Sequence, residues 1–202
     1  MRLYSEKIKE VRQNQEIFAK EGFTLPYIRP IMRKAWLDVW DSFHLFCQAK
    51  HIPDHGSYLE IGAWRGGSVL CAFLATKLAK ISASFTVIDL GVDGAHFTEI
   101  MKQIPDIRFV LFRSDIAEDR IRNSSIDLLF IDGAHHYPQI KRDIINYWPK
   151  LKVGGILLGH DYSSHELHRG IVQATNEIFG ERLIRLKHSR IFRVKKISKE
   201  LR

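Results

Sequence analysis

Short apolar runs along this sequence end, one after another, in residues that could do chemistry: Glu60, Asp89, Ser114-Asp115, Asp132 and His160-Asp161. Carboxylates crowded along one edge repel each other unless they bind hydrogen-bond donors, cations or a metal. A single such acid caps a helix as often as it contacts a ligand, but the whole series is hard to explain by folding alone. The stretch Tyr58-Leu59-Glu60-Ile61-Gly62-Ala63-Trp64-Arg65-Gly66-Gly67-Ser68 adds backbone freedom. Gly62 can take angles closed to other residues, and Gly66 and Gly67 let a ligand approach the main chain. Ser68 stands where it could cap the following helix, whose free N–H groups face the strand's carboxyl end. Together these features suit the capture of a polar small molecule at the edge of an open sheet.

The elements that must position these residues alternate in type. Tyr58–Ile61, Ser84–Ile88, Arg108–Phe112, Ile126–Ile131 and Ile156–Gly159 read as strands. Helical patterns follow them: Val69 to Leu78, a weaker one from Ala95 to Gln103, one opened by Pro138 and carrying Ile140, Ile144 and Trp148, and one from Leu167 to Phe179. Gly154-Gly155 reads as the turn into the fifth strand. Strand-then-helix units imply a parallel sheet with helices on both faces. Arg182–Leu186 and Arg190–Lys195, joined by Lys187-His188-Ser189, add an antiparallel hairpin, for seven strands in all. Ahead of the first strand, residues 1–55 form an N-terminal helical extension, and residues 56–202 form the ligand-binding domain. In the extension an amphipathic helix ends near Gly22, Pro26 and Pro30 bracket an extended connection, and a helix from Ile31 to Lys50 carries Trp36, Trp40, Phe43 and Phe46. That aromatic stripe packs on the sheet, walls a substrate or forms a homodimer contact, and packing is the commoner use.

The 202 residues suffice for one substantial core. No apolar run reaches the ~20 residues of a membrane span, and the charged N-terminus lacks the apolar core of a secretory signal. Two cysteines set in apolar helical patterns point to reduced thiols and a cytoplasmic location. A net charge of +8 raises a nucleic-acid partner, but the positive charge is scattered and no zinc or RNA-binding pattern accompanies it, so a solvated surface is expected.

The order Glu60-x-Gly62, Asp89, Asp115, Asp132, Gly154-Gly155 resembles the class I S-adenosylmethionine-dependent methyltransferases, a Rossmann-like α/β family. Phe130-Ile131-Asp132-Gly133-Ala134-His135-His136-Tyr137, then Asp143, Trp148 and His160-Asp161, is similar to a small-molecule branch. That branch includes macrolide sugar O-methyltransferases and cephalosporin hydroxylase-like proteins. The resemblance covers residues 56 to 195. It implies that Gly62 admits the methionine part of S-adenosylmethionine while Glu60 receives its ammonium. It implies that Asp89 binds the ribose hydroxyls and that Ser114 and Asp115 hold the adenine, with Trp64, Gly66, Ser68 and Asp132 completing the cofactor site. It further implies that Asp132 and Asp161 hold a divalent cation such as magnesium or manganese, with His135 as general base. His160 stands where relatives carry a third acid, so a set of Asp132, His160 and Asp161 leaves manganese, iron, zinc or no metal open. The acceptor implied is a sugar or phenolic hydroxyl, with no nucleic acid or membrane involved.

Two rivals remain at this point. A nicotinamide-dependent oxidoreductase would need Gly-x-Gly-x-x-Gly, but Trp64 occupies the second glycine position. A methyltransferase-like fold that binds without catalysis is the other.

Overall fold

The computed structural model describes residues 4–34, 37–91, 98–99, 102–104 and 106–201. The first 49 residues contribute α1 (Tyr4–Gln13), α2 (Gln15–Lys20), α3 (Leu25–Lys34) and α4 (Val39–Ala49). The single helix expected up to Gly22 is therefore two. The second ends in a Schellman turn, with Gly22 at φ +75° and Phe23 N–H donating to Phe18 O at 3.0 Å. The extended connection expected between Pro26 and Pro30 is instead α3. Pro26 sits in its first turn, where its missing N–H costs nothing. Pro30 lies inside, at a penalty of about 3 kcal/mol. Complete burial of Ile28 and Ile31 contributes about 1.5–3 kcal/mol each and outweighs it. The helix expected from Ile31 to Lys50 is divided between α3 and α4. Of its aromatic stripe, Trp36 lies outside the described residues, and Trp40, Phe43 and Phe46 pack against Phe18 and Phe23. Phe18, Phe23, Phe43 and Phe46 are buried, and Phe18 lies 4.7 Å from Phe43 between ring centres.

The sheet comprises β1 (Ser57–Ile61), β2 (Ser84–Asp89), β3 (Arg108–Leu111), β4 (Ile126–Ile131), β5 (Leu151–Gly159), β6 (Ile184–Arg185) and β7 (Phe192–Lys195). Their order is β3-β2-β1-β4-β5-β7-β6. The first five strands are parallel, and β7 runs antiparallel to both β5 and β6. The fifth strand begins five residues earlier than expected. Gly154-Gly155 lies within it rather than before it, where the register against β4 shifts between Ile126 and Leu128.

Alternation along the strands divides the core in two. Tyr58, Leu128, Phe130 and Leu158 face α3, α4 and α5 (Gly67–Leu78). Leu59, Ile61, Leu129, Ile131 and Leu157 face α7 (Tyr137–Tyr147) and α8 (Arg169–Phe179). A short α6 (Ser114–Ala117) follows β3. The helix expected from Ala95 to Gln103 falls largely outside the described residues; Thr98 and Glu99 are helical. No helix among the described residues is long and apolar enough to cross a membrane. Cys47 and Cys71 are free thiols. Because β1 pairs with β2 on one side and β4 on the other, strand order reverses at β1/β4, and a crevice opens beyond their carboxyl ends.

Candidate active site

Four strand ends, of β2, β1, β4 and β5, are laced together by three main-chain bonds at that crevice. Gly62 N donates to Ile88 O at 2.9 Å, Asp132 N to Ile61 O at 2.9 Å, and His160 N to Ile131 O at 3.0 Å. Gly62 has φ +86°, and a Cβ there would lie 2.7 Å from Asp132 C and 2.8 Å from Gly133 Cα. The glycine is thus demanded by the approach of the β4 end as well as by its backbone angle. Trp64 is held at φ +46°, a conformation uncommon for a bulky residue and one that recurs at ligand clamps. Asp89 fixes this turn, its Oδ2 accepting from Ala63 N at 2.7 Å and Trp64 N at 2.9 Å and its Oδ1 from Gly91 N at 2.9 Å.

Glu60 lines neither cavity of the crevice, and Ser68 lines the smaller one without capping α5. Glu60 is fully buried and accepts from Tyr58 Oη at 2.7 Å and from Ser68 Oγ. It therefore lies beneath the crevice and does not line it. Burial pushes its pKa up to about 8, against the hydrogen bonds from Ser68 and Tyr58. Ser68 is correspondingly drawn inward to Glu60 and does not cap α5. The capping position belongs to Gly66 at φ +75°, so its role is conformational and not ligand approach.

Beside the turn lies a cavity of about 530 Å³ walled by Ile88, Leu90 and Phe112, with Gly62, Trp64, Asp89, Ser114 and Asp132 on its rim. Asp143 reaches it from α7, its Oδ1 taking hydrogen bonds from Ser114 Oγ at 2.5 Å and Gln139 Nε2 at 2.9 Å. Asp115 does not line it. Arg113 and Arg142 grip its Oδ2 at 2.8 and 3.0 Å, and the Arg113 hydrogen bond above all lowers its pKa to about 2.

A second cavity, of about 250 Å³, shares Gly62, Trp64, Asp132 and Gly133 with the first; Gly67 and Ser68 line it from the start of α5, together with Leu37, Arg65, His135, His160, Asp161 and Arg190. His135, half-exposed, meets Asp161 Oδ2 through Nε2 at 2.9 Å, and that hydrogen bond raises its pKa. His136 is exposed and lines the first cavity instead. His160 is not available as a metal ligand. Its Nδ1 faces Asp132 Oδ1 at 3.1 Å, and its Nε2 faces the buried Asp41 Oδ2 at 3.0 Å. Burial opposes charge on this ring, but Asp132, Asp161 and Asp41 together hold its pKa well above the usual histidine value. Among the described residues, the group that could hold a metal is Asp132, His135 and Asp161, whose donor atoms all lie within 4.8 Å of one another. Asp161, at φ +59°, is strongly acidic: burial raises its pKa, but His135, His160 and Arg190 overcome that. His168, buried beside Asp161, shares a hydrogen bond with Ser163 Oγ at 2.7 Å through Nδ1, while His165 caps its loop by accepting from Leu167 N at 3.2 Å. Asp41 and Arg190 carry no local sequence signal; Asp143 stood in the family motif without a stated role.

The strand order, with its single antiparallel insertion and glycine turn at the switch point, is that of a class I S-adenosylmethionine-dependent methyltransferase fold. Residues 59–162 match the family described as methyltransferase domain, and the chain belongs to that family. An uncharacterised protein of Sinorhizobium fredii is 31% identical over an alignment of 132 residues that covers 59% of this chain and 14% of that protein. The chain thus spans a small part of that relative's length. Among solved structures, the O-methyltransferase NovP superposes with a TM-score of 0.61 at 17% identity over 82% of this chain and 83% of that one. The methyltransferase PaMTH1 of Podospora anserina, bound to S-adenosylhomocysteine, gives 0.67 at 12% identity over 93% and 95%.

Proposed function

We propose that the protein transfers the methyl group of S-adenosylmethionine to a hydroxyl of a small molecule. The observation that carries this reading is the junction of the two cavities at Gly62, Trp64, Asp132 and Gly133. A sulfonium in the larger cavity would present its methyl there, and an acceptor in the smaller one would approach from behind it. In the larger cavity the apolar walls suit an adenine, Asp89 suits the ribose hydroxyls, and Asp143 takes the place given to Asp115 as acceptor for the exocyclic amine. Gly62 and the Asp132 carboxylate face the methionine end.

Bound S-adenosylmethionine would supply the methyl at the junction: the acceptor oxygen would bond to its carbon as the carbon–sulfur bond breaks, and S-adenosylhomocysteine would leave. The hydroxyl proton goes to His135. With Nε2–H donated to Asp161, Nδ1 carries the free lone pair, and the carboxylate stabilises the imidazolium that forms. A volume near 250 Å³ suits an acceptor group of sugar or phenol size.

A second reading rests on the donor cluster. Asp132, His135 and Asp161 offer two carboxylate oxygens and one imidazole nitrogen, a set that fits manganese, iron or zinc better than magnesium. A cation there would lower the acceptor's pKa and orient it. In that case His135 would serve as a ligand in place of its role as base.

Calorimetry with S-adenosylhomocysteine, followed by elemental analysis of the purified protein, tests both readings. Micromolar binding supports the transferase. Binding of NADH with none of S-adenosylhomocysteine would replace it with the oxidoreductase.

A further inference from the structure

We propose that Asp41, supplied by the N-terminal helices, is a positioning residue that fixes Asp132 through His160 and Asp161 through Arg190. The inference rests on the transferase reading above. Asp41 is fully buried on α4, yet its two oxygens face four donors drawn from three parts of the chain. Oδ1 accepts from Arg190 N at 2.8 Å. Oδ2 accepts from His160 Nε2 at 3.0 Å, Asp38 N at 3.2 Å and Arg190 Nη2 at 3.3 Å.

Two arms lead from this carboxylate to the cavity junction. Along one, the far side of the His160 ring meets Asp132 Oδ1 at 3.1 Å. Along the other, Arg190 Nη1 meets Asp161 Oδ1 at 2.9 Å. A buried carboxylate is expensive to desolvate, and anchoring a helix does not require one, because well-packed apolar residues serve that purpose as well or better. A ring held by carboxylates at both ends cannot rotate without losing a bond, so Asp41 determines where His160 presents its second nitrogen. Asp132 and Asp161 also repel each other, and the two cations oriented by Asp41 hold them side by side facing the cavity. A helix lying outside the strand-and-loop framework thereby sets the geometry of the reacting edge.

The test is Asp41→Asn, which keeps the size of the side chain but puts an amide where an acceptor stood. In its crystal structure the His160–Asp132 contact should be lost and the Asp132, His135 and Asp161 donor atoms should spread beyond the 4.8 Å that now encloses them. With catechol as the acceptor probe, kcat should fall by about 10–100-fold, as misplacement of a reacting group does. The KM for S-adenosylmethionine should rise by less than kcat falls, since Asp132 is one residue among the many that line the cofactor cavity. An unmoved Asp132, or an unchanged kcat in the folded variant, would overturn the proposal. Should Asp41→Asn fail to fold, Asp41→Ser keeps an oxygen for the Arg190 amide without reaching His160, and the same displacement of Asp132 decides. A wild-type protein that binds no S-adenosylhomocysteine and methylates no acceptor would strike the transferase reading, leaving the two crystal structures to decide on Asp41.

Discussion

Asp89 Oδ2 accepts the main-chain N–H of Trp64 at 2.9 Å, a bond across 25 residues that ties the end of β2 to the turn after β1. The same oxygen holds Ala63 N, so the carboxylate clamps the turn as well as facing the cavity.

Asp89→Ala should therefore do two things at once. It leaves three main-chain N–H groups without their acceptor, and destabilisation of about 1–3 kcal/mol is expected. It should also weaken S-adenosylhomocysteine binding by calorimetry, since it removes the carboxylate proposed to take the ribose hydroxyls. Asp89→Asn, which keeps one carbonyl oxygen for the turn, separates the effects: stability should largely return while affinity stays low. Wild-type affinity in both variants would remove Asp89 from the cofactor site.

How far all this was legible in the sequence differs by kind of residue. Strand ends were plain, because β1, β4 and the end of β5 are nearly continuous apolar runs broken by an acid or histidine, and such runs are buried on both faces. The pairing of particular side chains was not. Whether Asp115 or Asp143 turned to the cavity depended on Arg113 and Arg142, two neighbours whose reach no spacing rule describes. Ser68 reads as a cap until one knows that Glu60 beneath it is sealed from water and needs a donor. Asp41 and His160 are 119 residues apart and meet only because α4 packs over the β4 and β5 ends. Pro30 misled in the opposite direction, its local penalty being overridden by burial of the helix face.

Glu60 predicts a pH dependence of stability. Burial raises its pKa from the usual 4.5 to about 8, so between those values the folded protein keeps a proton that the unfolded chain has lost. The stabilising contribution is fully present below pH 4.5 and is lost as pH rises to about 8, at up to about 1.4 kcal/mol per pH unit. Melting temperatures of wild type and Glu60→Gln, followed from pH 5 to 9, should diverge, the variant losing less. Parallel curves would mean that the carboxyl is already ionised in the fold.

The dyad of His135 and Asp161 predicts the acid side of the rate profile. His135 accepts a proton only when neutral, and Asp161 raises its pKa above the usual 6.5. Methyl transfer, read as S-adenosylhomocysteine formation, should rise with pH through that elevated value. Asp161→Asn should move the rise to lower pH and reduce the maximal rate. His135→Ala should spare cofactor binding and slow transfer by about 10²–10⁴-fold. Full activity in that variant would take His135 out of the mechanism.

Two glycines with nearly the same backbone angle should respond very differently to alanine. Gly62 at φ +86° and Gly154 at φ +89° both lie where an L-residue is strained, at about 1–2 kcal/mol. At Gly154 a Cβ meets nothing within 4 Å, so Gly154→Ala should cost only that strain. At Gly62 the Cβ would sit 2.7 Å from Asp132 C and 2.8 Å from Gly133 Cα, main-chain atoms held by the Asp132 N to Ile61 O bond and unable to step aside. Overpacking adds about 1–3 kcal/mol or more. Any relief must push the β4 end away from β1, which opens the junction of the two cavities. Gly62→Ala should thus lower the melting temperature well beyond Gly154→Ala and abolish S-adenosylhomocysteine binding, whereas Gly154→Ala binds normally. Equal melting temperatures for the two variants would show that the β1 and β4 ends are not pressed together at this point.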